Sequence, residues 1–194
     1  MKEMPTRKNV RLKGYDYSTA GAYFVTICVK DGHEIFAHIV GDAHPGVPPH
    51  DPHGAPIELT ATGEMVKQHI ENISLCYEAV TIDKYTVMPN HVHMIVIIKN
   101  GTCSVLKGGT PRCASPTKSV LAKVINAFKS LTSKQFGESM WQRSYHDHII
   151  RDEAEYQRIW AYIDENPAKW TEDCYNTKKS RPCEDDPTIK DEPI

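Results

Sequence analysis

The chain has 194 residues, of which 40% are hydrophobic and 25% charged, and its formal net charge is -2. This length suits one sizeable domain, and the composition is that of an ordinary soluble protein. The six cysteines include no CxxC pair, which argues against a zinc ribbon or a thioredoxin-like redox centre. No apolar run is long enough to cross a bilayer, and residues 1–5 lack the apolar start of a secretory signal, so we expect a cytoplasmic protein.

The two ends of the chain carry opposite charges. Residues 1–13 form a basic arm in which Glu3 is the only acidic residue, whereas the end of the chain is rich in aspartate and glutamate. We expect a single domain over 1–180, with a proline-rich insertion at 41–57, and an acidic, flexible tail at 181–194. The alternative is that both ends are solvated and have no function.

Apolar periodicity predicts an alternation of strands and helices. Aromatic and β-branched residues predict a buried strand over 22–29 and, through the turn Asp31-Gly32, a hairpin partner over 34–40. The prolines and glycines of 41–57 exclude regular structure there. Apolar residues at helical spacing then predict an amphipathic helix over 62–76.

A pair of strands and a further helix follow in the second half of the chain. The strands are predicted at 80–87 and 91–98, with a tight connection between them, and a loop is expected at 100–116. A helix should cover 118–136. Its predicted buried stripe consists of Val120, Leu121, Val124, Ile125, Phe128 and Leu131.

The last predicted element is a helix that begins near Asp152 and ends before Pro167. The Asp152 side chain can cap its first turn, and a proline disfavours helical backbone at the residue before it. The preceding segment, 140–151, is expected to be extended or irregular. The order of elements therefore predicts an α+β protein with helices packed on an antiparallel sheet.

Two histidines stand at the start of an otherwise apolar strand. In extended backbone, residues two apart project to the same side, so His91 and His93 point together while Val92 faces away. Two imidazoles on rigid backbone can hold a divalent metal ion if a third ligand arrives from elsewhere in the fold. Such an ion can polarise a phosphoryl oxygen.

The last helix carries candidate partners for this histidine pair. Tyr162 and Asn166 are four residues apart and so project from the same side of a helix. A phenol is a competent nucleophile toward an activated target, and an amide oxygen is an acceptable ligand for a hard metal ion. We therefore predict a site that combines the histidine pair, Asn166 and Tyr162.

The segment MPNHVH at 88–93, followed by an apolar run, resembles the HUH motif (histidine-hydrophobic-histidine) of the single-tyrosine HUH endonucleases. More narrowly, it resembles the REP-associated tyrosine transposases, and the similarity extends over most of the chain. The further segments that match this family, in order, are RLKGYDY at 11–17, GAYFVT at 21–26, AFKSL at 127–131, WQRSYHDHIIR at 141–151 and YIDENPAKW at 162–170.

The resemblance implies both a fold and a mechanism. The fold would be an antiparallel, ferredoxin/RRM-like sheet covered by helices, with the HUH motif on a central strand and the catalytic tyrosine on a C-terminal helix. Mg²⁺ or Mn²⁺ would be held by His91 and His93, with Asn166 as the third ligand. Tyr162 would attack the scissile phosphate, forming a 5′-phosphotyrosine bond and freeing a 3′-hydroxyl.

The implied partner is single-stranded DNA next to a hairpin of a repeated palindromic element. The protein would cleave and transfer such strands as a transposase, and we expect a monomer, with a dimer as the alternative. Aromatic side chains would stack on unpaired bases, and basic side chains would contact phosphates. The residues predicted to contact DNA are Arg7, Lys8, Arg11, Lys13, Trp141, Arg143, Tyr145 and Arg151.

Each assignment has an alternative. An isolated HxH pair is more often structural, and a histidine-triad nucleotide hydrolase would need a third alternating histidine where this chain has Ile95. Tyr145 and Tyr156 compete with Tyr162 for the role of nucleophile, although neither has a polar metal ligand one turn later. Asn166 could simply end its helix. For the whole protein, the alternative is a domesticated DNA-hairpin-binding protein without transposition activity.

Overall fold

The structure is a computed structural model and describes residues 19–39, 57–99, 119–171, 173, 175 and 176. The basic arm, the loop predicted at 100–116, the acidic tail and all of the insertion except Ile57 lie outside these described residues. The division into a domain and a tail therefore stays a prediction. Within the described ranges, no helix combines the length and the apolar character that a membrane span requires.

Four antiparallel strands form the main sheet. They are β1 (Gly21–Cys28), β4 (Val80–Val87), β5 (His91–Ile98) and β6 (His146–Ile150), and their order across the sheet is β4-β5-β1-β6. With one helix after β1 and one after β5, this is the β-α-β-β-α-β order of a ferredoxin-like fold. The predicted α+β fold is confirmed, and the two histidines lie on a strand in the middle of the sheet.

In the part of the chain that the structure describes, three α-helices accompany the sheet: α1 (Ala61–Cys76), α2 (Val120–Phe136) and α3 (Glu153–Glu165). A short 3-10 turn (Asn166–Lys169) follows α3. The predicted helices therefore form, and α3 ends before Pro167 as expected. Each helix has a side chain that accepts a hydrogen bond from a backbone N–H in the first turn: Thr60 for α1, Ser119 for α2 and Asp152 for α3.

The two faces of the sheet pack against different helices. On one face of β5, the alternate residues Val92, Met94, Val96 and Ile98 point into a large core shared with α1 and α2. Ile95 points the opposite way and packs with Ile159 of α3 in a smaller core. Because side chains alternate along a strand, His91 and His93 share the face of Ile95 and look toward α3.

The hairpin predicted for 34–40 with the first strand is wrong. Only Ala37–Ile39 of that segment forms a strand, β2, and it pairs with β3 (Ile57–Leu59) in a separate two-stranded sheet. The physical reason is that β5 and β6 already occupy both edges of β1. The turn that begins at Lys30, where Asp31 adopts a positive φ of 59°, leads the chain away from the main sheet.

The buried face of α2 also differs from the predicted stripe, since Val120 is only half-buried and the unpredicted Ala122 and Thr132 are buried. Leu131 is 54% exposed, whereas its neighbour Thr132 is fully buried. Thr132 lies one turn after Phe128 and accepts a hydrogen bond from the indole N–H of Trp141 at 2.8 Å. The hydroxyl rather than the larger apolar side chain therefore completes the buried face, because a buried indole N–H needs an acceptor there.

A β-bulge in the edge strand β4 fixes the position of α3. The register of β4 against β5 shifts at Asp83, between residues 82 and 84. Asp83 accepts a hydrogen bond from the hydroxyl of Tyr156, and Lys84 pairs with Asp164 while its ammonium lies 3.8 Å from the ring centre of Trp160. These contacts hold α3 across the sheet.

Glu155 stabilises the turn between β6 and α3 through hydrogen bonds of its side chain. Its carboxylate accepts the Arg151 N–H and lies 2.7 Å from the His148 Nε2. Burial raises the pKa of Glu155, but the hydrogen bonds from Arg151 and His148 outweigh that effect and hold the pKa below its ordinary value. The start of α3 is therefore anchored by an ionised and largely buried side chain.

We expect Gly63→Ala to lower the free energy of unfolding by about 1–3 kcal/mol in urea titrations. A Cβ at this position of α1 would lie 2.0 Å from the backbone oxygen of Phe36, which cannot rotate away. Alanine normally stabilises a helix interior relative to glycine, so the predicted sign is opposite to that of helix propensity. Gly21→Ala is the control, because its Cβ would meet no atom closer than 3.9 Å. An unfolding curve for Gly63→Ala equal to that of wild type would contradict the close approach.

We expect Glu155→Gln to lower the free energy of unfolding by about 1–3 kcal/mol at pH 7, because a charged acceptor of two hydrogen bonds is lost. The folded state lowers the pKa of Glu155, so its carboxylate stabilises the fold at neutral pH and this stabilisation is lost as the pH falls through the folded-state pKa. The difference between variant and wild type should therefore shrink below about pH 4. A difference that stays constant between pH 7 and pH 3 would show that the charge is unimportant.

Candidate active site

The two histidines of β5 form a buried pair. His91 and His93 are both 0% exposed, and their Nε2 atoms lie 2.9 Å apart. Their rings meet edge-on, with centroids 4.4 Å apart. The two imidazoles thus project together, as their spacing on a strand predicted.

Asn90 fixes the orientation and the tautomer of His91. The amide group of Asn90 donates to the backbone oxygens of Tyr175 at 2.7 Å and Gly32 at 3.3 Å, so its Oδ1 is turned toward His91. That Oδ1 lies 2.9 Å from the His91 Nδ1 and can only accept. We therefore assign the proton of His91 to Nδ1, which leaves a lone pair on Nε2.

Thr26 of β1 plays the corresponding role for His93. Its hydroxyl lies 2.8 Å from the His93 Nδ1, and a hydroxyl can donate or accept. While it donates, the His93 Nε2 carries the proton and bonds to the lone pair of His91. When it accepts, both Nε2 atoms present lone pairs, which is the state that a metal ion requires.

Both histidines are neutral at pH 7. Burial lowers the pKa of His93 to about 3. Burial and the neighbouring His93 lower the pKa of His91 well below its ordinary value. Neutral imidazole is the form that ligates metals, so the burial of the pair suits this role.

The surroundings of the pair fit a divalent ion. Adjacent ligands of an ion at about 2.1 Å lie roughly 3 Å apart, which matches the separation of the two Nε2 atoms. The ligand atoms of His91, His93 and Asp173 all lie within 4.8 Å of one another. Asn166 is 3% exposed, and its side-chain oxygen has no hydrogen-bond partner among the described residues. An unpartnered buried oxygen of this kind calls for an explanation such as a bound water molecule or ion.

Tyr162 lies beside the histidine pair. Its ring centroid is 5.3 Å from that of His93, and both rings contact Phe24, whose centroid is 6.0 Å from that of Tyr162 and 5.2 Å from that of His93. The ring is half-buried, so one side of it faces solvent. The structure therefore brings the predicted nucleophile to the predicted metal ligands within one chain.

The competing tyrosines have other environments. Burial and the hydrogen bond to Asp83 raise the pKa of Tyr156 to about 12, which disfavours its phenolate. Tyr145 packs against the core on the α1 and α2 face of the sheet. Tyr175 was not considered in the sequence analysis, yet its ring centroid lies 4.6 Å from that of His91. It is the second tyrosine at the site.

Several side chains at the site escaped the sequence analysis. Asn90 lies inside the MPNHVH segment and could have been found there as the neighbour of a candidate ligand. Thr26 is recognisable only from the pairing of β1 with β5, in which it stands opposite His93. Asp173 and Tyr175 follow α3 in a segment without periodicity, so no pattern in the sequence points to them.

The structure describes four of the predicted DNA-contacting residues, and all four lie within the segment 141–151 around β6. Trp141 is 4% exposed and packs against Phe36 and Phe128 in the core. Arg143 precedes β6 along the chain, Arg151 follows it, and both are exposed. Contact of these residues and of Tyr145 with DNA stays a prediction. Arg7, Lys8, Arg11 and Lys13 lie outside the described residues.

Comparison with known proteins identifies the family of the chain. The family model described as "Transposase IS200 like" matches residues 59–166, a range that contains the histidine pair, Tyr162 and Asn166. A protein of Haemophilus influenzae, itself uncharacterized, is 34% identical over 177 residues, which cover 86% of this chain and 91% of the relative.

A solved structure shares the fold. It is the REP-associated tyrosine transposase bound to a REP hairpin, with 17% sequence identity and a TM-score of 0.51. The match covers 82% of this chain and 73% of that chain. The family model spans more than half of the sequence, and the relative from Haemophilus influenzae matches most of it. The chain therefore belongs to the IS200-like transposase family.

Proposed function

We propose that this protein is a metal-dependent, single-stranded DNA endonuclease and strand transferase that acts next to the hairpins of repeated palindromic elements. The observation that carries the proposal is the placement of the Tyr162 ring 5.3 Å from the ring of His93, on the same face of the sheet as the histidine pair. Membership of the transposase family and the hairpin bound by the structurally similar REP-associated transposase support the choice of DNA as substrate.

His91 and His93 would hold Mg²⁺ or Mn²⁺, with Asn166 as the ligand predicted from the sequence. The ion supplies Lewis-acid polarisation of a phosphoryl oxygen. Asn90 and Thr26 keep the imidazoles turned so that their Nε2 atoms face the same point. Burial keeps both rings neutral, so ligation needs no net loss of a proton, and His93 only has to carry its proton on Nδ1, with the Thr26 hydroxyl as acceptor.

Tyr162 would perform the covalent step. Its phenolic oxygen attacks phosphorus, gives up its proton to solvent and forms a phosphotyrosine bond at the 5′ end of the strand downstream of the break. The bond from phosphorus to the 3′-oxygen breaks, and that oxygen takes up a proton to become a 3′-hydroxyl. Because the phosphodiester is exchanged for a phosphotyrosine rather than hydrolysed, another 3′-hydroxyl can attack it and rejoin the strand without a nucleotide cofactor.

The second candidate function is that of a domesticated protein that binds DNA hairpins without cutting them. Hairpin binding alone would place no requirement on a buried, neutral histidine pair beside a tyrosine. The presence of His91, His93 and Tyr162 in one site therefore favours the enzyme.

We expect wild-type protein to form a covalent adduct with a labelled single-stranded hairpin substrate in the presence of Mn²⁺, and Tyr162→Phe to form none. The adduct is detected as a shifted band on a denaturing gel. Tyr85→Phe is the control for loss of a tyrosine hydroxyl away from α3 and should form the adduct, because the Tyr85 hydroxyl is bound to Glu71 of α1. An adduct that survives in Tyr162→Phe but is lost in Tyr175→Phe would transfer the role of nucleophile to Tyr175. Tight hairpin binding with no adduct from wild type would support the binding protein instead.

His91→Ala should abolish adduct formation and largely spare hairpin binding, because the ring belongs to the proposed metal site rather than to a DNA surface. Hairpin affinity is measured by gel shift in the absence of divalent ions. Equal losses of binding and cleavage would show that the ring supports the fold or the DNA interface and would remove its metal role.

Thr26→Val should weaken Mn²⁺ binding by about 10- to 100-fold, because the His93 Nδ1 loses the hydroxyl that orients the ring. Thr26→Ser keeps the hydroxyl and should restore most of the affinity. The measurement is a Mn²⁺ titration of metal-free protein. Equal affinity of the valine and serine variants would show that the hydroxyl does not position His93.

A further inference from the structure

We propose that Asp173, in the segment that follows α3, is a protein ligand of the metal ion held by His91 and His93. The inference rests on the metal site of the proposed function and changes its ligand set. From the sequence, the third ligand was predicted to be Asn166, which begins the 3-10 turn after α3. The geometry adds a carboxylate from the segment that follows this turn.

The carboxylate of Asp173 is aimed at the histidine pair. Asp173 is 8% exposed, and its Oδ2 lies 3.7 Å from the His91 Nε2. Its other oxygen, Oδ1, accepts the backbone N–H of Tyr175 at 2.8 Å, which sets the orientation of the group. The backbone N–H of Asp173 donates to the carbonyl oxygen of Lys169 at 2.9 Å, which ties it to the 3-10 turn after α3.

The segment around Asp173 is bound to the same site by independent contacts. The carbonyl oxygen of Tyr175 accepts the amide of Asn90, the residue that orients His91. The ring of Tyr175 packs on the ring of His91. The ring centroid of Trp170 lies 6.0 Å from that of His91, with an angle of 32° between the two ring planes. Asp173 is therefore held between two residues that contact the histidine pair.

The charges at the site favour a cation among these three groups. Imidazole ligates metals in its neutral form, so His91 and His93 would bring lone pairs but no charge to a bound ion. A carboxylate adds one negative charge in a low-dielectric environment, where its attraction for a divalent ion is much stronger than in water. Two imidazoles and one carboxylate form a ligand set that transition metals occupy, so Mn²⁺ should bind more tightly than Mg²⁺.

The test is a Mn²⁺ titration of the metal-free, full-length protein, in which electron paramagnetic resonance measures the free ion. Asp173→Asn keeps the shape of the side chain and the acceptor for the Tyr175 N–H but removes the charge. We expect it to weaken Mn²⁺ binding by at least about 10-fold, since loss of even an outer-shell partner of a ligand costs about 10- to 100-fold. Asp173→Glu retains a carboxylate and should bind more tightly than Asp173→Asn, which separates ligation from damage to the fold.

Glu138→Gln is the charge control, because Glu138 is an exposed carboxylate in the turn after α2. Glu138→Gln should bind Mn²⁺ like wild type. An equal loss of Mn²⁺ affinity in Glu138→Gln and Asp173→Asn would show that only the net charge of the protein matters, and this would overturn the proposal. Wild-type affinity in Asp173→Asn, together with loss in His91→Ala, would overturn the role of Asp173 and leave the proposed function intact. Wild-type affinity for Mn²⁺ in both Asp173→Asn and His91→Ala would overturn the metal site itself.

Discussion

The approach of two neutral imidazole nitrogens to 2.9 Å is the interaction on which the site depends. Such a pair is stable only while one nitrogen donates a proton to the other or a cation lies between them. Complete burial removes water as a substitute partner and keeps both rings from taking up a proton. The fold thus brings together two lone-pair donors that gain from a positively charged ligand.

The rings are held by groups from separate parts of the chain. Thr26 reaches His93 from the neighbouring strand β1, and Asn90 joins His91 to the segment after α3 through Tyr175. Tyr162 comes from α3, whose place on the sheet is set by contacts with β4. Precision at the site therefore comes from the tertiary structure rather than from the short segment that carries the histidines.

Local patterns in the sequence were sufficient for β1, β4, β5 and the three helices, but they missed β3, which begins at Ile57 inside the predicted insertion. Alternation placed His91 and His93 on one face of a strand, and helical spacing put Tyr162 and Asn166 on one side of a helix. Local patterns do not show which of two possible tertiary partners a segment will have. Residues 34–40 could pair with β1 only if an edge of β1 were unpaired. On α2, Thr132 is buried in place of Leu131 because its hydroxyl accepts the hydrogen bond of the Trp141 indole. Asp173 escaped for the same reason, since only the path of the chain after α3 reveals its position.

The bulge at Asp83 has a second effect that concerns the border of the sheet. β4 is an outermost strand, and a regular outermost strand exposes a row of unpaired backbone groups that can recruit a strand from another molecule. The extra residue interrupts that row. The bulge that positions α3 therefore also protects the protein against edge-to-edge aggregation.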